Sequence, residues 1–221
     1  VRAHRTLEEA WSRFEGEVNL FSALRSSFET QEDWSGLCQL IRSRLRLSSV
    51  VQQASLFLEL AQLQAKKFSI EQSLETLSEG LLTTKHFSVL SDQVVAVAAE
   101  AGMSRAVIDD VIRASDGVAV DVEVEAYEHV LVRLAVQADF VSYEVIRAAQ
   151  GVLTRQPNHL SALGVIAQSA PSAAVKWGAL AHLERLNGTP MELPYWQTLL
   201  ELSVAQSEVA IGLKAVDILI E

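Results

Sequence analysis

Cysteine is almost missing from this chain: Cys38 stands alone, so no intrachain disulfide can form. Nothing marks a small secreted domain held by cross-links, and a reducing, cytoplasmic setting is expected. Set between apolar neighbours on one helical face, a lone thiol is expected to pack rather than to react. Only four prolines and ten glycines interrupt 221 residues, too few for a fold of many tight turns. Aromatics are also scarce, with four Trp, three Tyr and seven Phe, which argues against a sandwich or barrel of many short strands.

Positive charge is the next shortage. Lys and Arg number 18 against 28 Asp and Glu, a formal charge of −10. So acidic a surface repels phosphate backbones and anionic lipid, and no nucleic-acid partner is expected. The one local basic cluster, Arg42, Arg44 and Arg46, alternates around its helix without forming a stripe. Apolar runs such as Val94 to Ala99 fall far short of the roughly 20 residues that span a bilayer, so no membrane insertion is expected. No stretch of the given sequence has the pattern of a signal peptide. Because the sequence opens at Val1 and closes inside the apolar stretch Ile218-Leu219-Ile220, it reads as a piece of a longer protein.

What remains is helix. Apolar residues make up 49% of the chain, and the helix formers Ala, Leu, Glu and Gln are abundant. The corner Gln156-Pro157-Asn158-His159 sets the pattern. Pro157 cannot continue the helix that ends at Gln156, and Asn158 is a good cap for the next, in which Leu160, Leu163, Ile166 and Ala167 recur at helical spacing. Two helices joined so tightly pack antiparallel. Thr6 is expected to start a helix and Asp33 to cap another, and similar corners occur at Ser48-Ser49, Lys66 to Ser69, Gly102 to Ser104, Asp139-Phe140, Pro171, and Asn187 to Pro190. Ser104 is expected to cap one helix and Pro171 to start another. Val118, Val120, Val122 and Val124 alternate with a strand's period, but no nearby segment could pair with them. The segment reads as a loop entering a helix near Asp121, and it divides the chain into helical blocks 1–116 and 117–221. About thirteen helices and no strand are expected.

Motifs that carry chemistry are absent. His4, His86, His129, His159 and His182 show no metal-binding spacing, no glycine run can cradle a phosphate, and no nucleophile elbow occurs. No cofactor is expected. Asp121, Glu125, Glu128 and His129 fall at i, i+4, i+7 and i+8 and could share a helical face. A divalent-metal or acid–base site is one reading; a solvated acidic face is the commoner one. The chain is expected not to be an enzyme.

Helix pairs recur with a period of roughly 34 residues. Phe57, Leu60 and Ala61 precede Ser73, Leu77 and Gly80, and Tyr127, Val130, Leu131 and Leu134 precede Phe140, Val145, Ala149, Val152 and Pro157. With Trp11, Phe14, Asp33 and Trp34 at the opening, the chain resembles the tetratricopeptide-repeat family, in the degenerate form seen in large bacterial proteins. That resemblance implies an all-α fold, a right-handed superhelical solenoid of antiparallel helix pairs. It also implies a protein or peptide partner on a concave face built from the first helix of each pair. The corresponding residues are Leu58, Gln62, Asp92, Ala96, Glu128, Val132, Gly164 and Gln168. With no Lys or Arg among them, a basic or amphipathic segment is expected rather than a C-terminal carboxylate. Self-assembly is the alternative, through apolar surface at Leu213, Val216, Leu219 and Ile220.

Overall fold

The computed structural model describes residues 2–14, 16–186, 193–206, 212–213 and 215–216. Among them there are twelve helices and no strand, so the all-α expectation holds. By internal packing the chain forms two compact units, Val1–Ala119 and Val120–Glu221.

The first unit holds α1 (Arg2–Trp11), α2 (Val18–Thr30), α3 (Trp34–Leu45), α4 (Val50–Lys67), α5 (Ile70–Thr84), α6 (Phe87–Glu100) and α7 (Ser104–Ala114). Successive helices pack on each other, and α4 also meets α6 while α5 meets α7. The result is two layers, first helices in one and second helices in the other. The most intimate pair is α4 with α5. Gly80 allows it, since a Cβ there would lie 2.9 Å from the Cβ and Cγ of Phe57. Ser73 is buried and donates to the Ala61 carbonyl at 2.8 Å, which satisfies its hydroxyl without water. Leu24, Ile41, Leu60, Leu77, Leu81, Phe87, Leu90 and Ile108 are fully buried, each worth about 1.5–3 kcal/mol of transfer free energy.

The corners follow the local chemistry, with some shifts. Asp33 caps α3 as expected, accepting from Gly36 N at 2.9 Å. Ser69 caps α5, accepting from Gln72 N at 3.2 Å. Thr6 does not start a helix, because α1 already runs from Arg2. Ser104 is the buried first residue of α7, and Met103 takes the cap position. Gly102 stops α6 in the left-handed region at φ +65°, where L side chains are strained.

The second unit holds α8 (Asp121–Ala138), α9 (Tyr143–Arg155), α10 (Leu160–Ser169), α11 (Ala173–Arg185) and α12 (Leu193–Gln206). The alternating valines resolve as expected, with helix from Asp121. Here α8 packs on α9 and α10, α10 on α9 and α11, and α11 on α12, around Leu131, Leu134, Val145, Leu180 and Leu199. Pro171 lies before α11, which Ser172 introduces. The expected corner at Asn187 to Pro190 lies outside the described residues.

The Pro157 corner differs in one instructive way. His159, not Asn158, is the N-cap: its Nδ1 accepts from Ala162 N at 3.2 Å. Asn158 is thereby free to reach across the corner, its Oδ1 2.8 Å from His182 Nε2 on α11. A neutral imidazole can cap in place of a carboxamide, because its unprotonated ring nitrogen presents a lone pair to the backbone N–H.

Candidate functional site

The expected partner-binding residues separate into exposed and buried sets. In the first unit, α4 carries Leu58, half-buried, and Gln62, exposed. The neighbouring α6 carries Asp92 and Ala96, both exposed. Each pair stands at i, i+4 on one helix face, so the first-helix layer offers a surface that is part apolar and part acidic.

In the second unit the same assignment needs correction. Val132 is 0% exposed and Gly164 is buried, so neither offers surface to a partner. Gln168 is exposed. Glu128 turns toward α9, where its Oε2 accepts from Arg155 Nη1 and its carboxylate fills the space above Gly151. The solvent face of α8 carries Val122, Arg133 and Val136 instead. The error is one helical position, about 100° of rotation. It arises because α8 is covered by both α9 and α10, a wider burial than one apolar stripe suggests.

Desolvation holds Glu128 above the usual carboxylate range, although Arg155 and His129 pull it down. His129 stacks edge-on to His159, ring centroids 5.0 Å apart, and its Nε2 lies 3.9 Å from Glu125 Oε1. Burial pushes His159 below its ordinary value, and His129 adds to the effect. Glu125 thus turns toward His129 and Glu128 toward Arg155, while Asp121 is exposed at the helix start. The four do not converge on one point. Among the described residues no three His, Cys, Asp or Glu side chains are placed to hold a metal, and no helix is long and apolar enough to cross a membrane.

A surface not anticipated from the sequence lies on the second-helix layer of the first unit. One cleft, of about 500 Å³, opens between α3 and α5 and is lined by Cys38, Arg42, Gln64, Phe68, Glu75 and Glu79 among others. A second, of about 550 Å³, opens between α5 and α7, with Leu74, Leu82, Met103, Val107 and the same two glutamates in its walls. Burial raises the Cys38 thiol above its ordinary pKa, which leaves it a poor nucleophile. The available signal was Glu71, Glu75 and Glu79 at i, i+4 and i+8. The clefts themselves arise where α3, α5 and α7 lie side by side, which no local pattern records.

No family model and no curated protein matches the chain. Among solved structures it is similar to one titled "Crystal structure of MamA protein", at 13% identity and a TM-score of 0.41, over 86% of this chain and 93% of that one. A likeness at that level carries no inference about function.

Proposed function

We propose that this chain is a non-catalytic protein-interaction scaffold of the tetratricopeptide kind. Its first-helix layer takes a basic or amphipathic peptide or helix. The observation that carries the reading is the surface formed where α4 and α6 lie together, with Gln62, Asp92 and Ala96 exposed beside half-buried Leu58. An apolar patch rimmed by polar and acidic groups suits an amphipathic segment. The net charge of −10 draws a basic partner over longer range.

Affinity capture from a lysate of the source organism tests this, comparing wild type with Asp92→Lys/Ala96→Arg. Glu128 is left intact in the variant, because reversing it would also break its pair with Arg155. A protein enriched by the wild type and lost with the variant supports the reading. Equal recovery moves the interface off this layer.

Self-association is the second reading, favoured by a specific feature. Val204 is 75% and Leu213 60% exposed, and Gly212 packs against Ser203, which brings the two apolar side chains to one neighbourhood. Leu219 and Ile220 lie outside the described residues, and Val216 is half-buried. A mass that rises with concentration in the wild type, and not in Val204→Glu/Leu213→Glu, would establish it.

A further inference from the structure

We infer that the second-helix layer of the first unit is a separate docking surface for an extended, basic peptide segment. It is built on α3, α5 and α7, with Gln64 of α4 at its floor on a different face of that helix from exposed Gln62, and it does not rest on the role proposed for Gln62 and Asp92.

Three observations combine. First, Glu71, Glu75 and Glu79 form a ridge along α5, all exposed. Successive carboxylates stand about 6 Å apart along the axis. Arg42 lines the far side of the α3–α5 cleft but makes no ion pair with the ridge, and no described residue neutralises any of the three. Like charges at this spacing repel, so the ridge carries charge that no ion pair with a described residue takes up. Second, the ridge is flanked on both sides by a cleft, and Glu75 and Glu79 border both. Exposed Phe68 stands in one cleft and exposed Leu82 and Met103 in the other, giving apolar side chains a place on either flank. Third, Gln64 lines the α3–α5 cleft at 6% exposure, and its Oε1 has no hydrogen-bond partner. An unpaired amide oxygen at that depth is costly. Half a turn of the terminal torsion exchanges its oxygen and nitrogen, so the cleft can be offered an acceptor or a donor.

The unpaired amide favours an extended occupant over a helical one. A helix has satisfied its own N–H and C=O groups and offers Gln64 only side chains, except at its ends. An extended segment carries free backbone N–H and C=O along its whole length. Its side chains on one face repeat every 6.6–6.8 Å or so, close to the step of the ridge. With the segment seated in the α3–α5 cleft, Lys or Arg at alternate positions can therefore meet successive glutamates on α5, while the backbone reaches Gln64 and the intervening side chains, on the opposite face, turn to the α3 wall. The acidic ridge excludes a phosphorylated or acidic segment.

The probe is a fluorescein-labelled peptide in which lysine alternates with alanine and leucine, with two controls: glutamate replacing lysine, and a stapled helix of the same composition. Fluorescence anisotropy on the whole chain should show binding of the lysine peptide, weakening as salt rises. Glu75→Gln/Glu79→Gln should weaken it about tenfold, for two lost charge pairs. Gln64→Met keeps the volume and removes the unpaired oxygen. It should weaken binding about threefold, for one hydrogen bond, and raise the melting temperature. Asp92→Lys/Ala96→Arg should leave this affinity unchanged, which separates the two surfaces. Absence of binding, or binding indifferent to the Glu75/Glu79 change, overturns the docking surface. Preference for the stapled helix, or indifference to Gln64→Met, overturns the extended geometry.

Discussion

Replacing Gly80 by alanine tests the contact that fixes α5, and with it the acidic ridge, against α4. In an open helix interior this change gains about 1 kcal/mol, because glycine loses more backbone freedom on folding than alanine does. At Gly80 the new Cβ would stand 2.9 Å from Phe57 Cβ and Cγ and 3.3 Å from Leu90 Cδ1. Phe57 is only 4% exposed and Leu90 not at all, and a Cβ moves only with its backbone. Forcing a methyl group into such a space costs roughly 1–3 kcal/mol, here toward the upper end because the close atom is not a free side-chain tip. The net expectation is a loss of about 1–2 kcal/mol, worth about 4 °C or more of melting temperature per kcal/mol for a unit of this size. Gly178, inside α11, is the internal control: a Cβ there meets nothing within 4 Å, so Gly178→Ala should stabilise by about 0.5–1 kcal/mol. Circular-dichroism melts give the two shifts, and hydrogen exchange of α5 and α11 assigns each to its unit. Opposite signs are expected. If Gly80→Ala raised the melting temperature as Gly178→Ala does, the close α4–α5 contact would be refuted.

Two further expectations concern the second unit. His159 is held below its ordinary value of 6.5, so the unfolded chain binds its proton first. Stability should fall as pH drops below about 6.5 and level off once the folded ring is protonated too. Protonation also removes the Nδ1 acceptor that caps α10. His159→Asn keeps a capping acceptor and should flatten that dependence, measured as melting temperature from about pH 7.5 to 5.5; an unchanged slope would show that other groups set it. Gly151→Ala places a Cβ where the Glu128 carboxylate now lies. That carboxylate is the end of a flexible side chain, so it should swing into water and release Arg155. The helix-propensity gain of about 1 kcal/mol then offsets the lost pair, leaving stability within about 0.5 kcal/mol of wild type. The Glu128 pKa, followed by NMR, should drop toward the ordinary carboxylate value, since its present rise comes first from desolvation.

Much of the fold is legible in the sequence because helices announce themselves locally. Periodic leucines and valines, Asp33, Ser69, Gly102 and Pro157 each act within a few residues, and the helices lie close to where those signals put them. Small residues at the contact, Gly80 against Phe57 and Ser73 against Ala61, even mark which helices touch. Gln62, Asp92 and Ala96, which the family resemblance puts on the first-helix surface, are exposed.

The remainder depended on how many neighbours each helix has. The family resemblance puts Val132 and Gly164 on a concave face, whereas α8 and α10 are covered on two sides and bury both residues. The link from Glu128 to Arg155 joins residues 27 apart, and the reach of Asn158 to His182 joins residues 24 apart. Neither separation is a helical period, so no local rule could find them. The clefts beside α5 have the same origin. The sequence placed Glu71, Glu75 and Glu79 in one line, but the sinking of Gln64 to the floor of a cleft was decided only when α3, α4 and α5 packed together. Local physics determined the helices of this protein; the space left between them determined what it can bind.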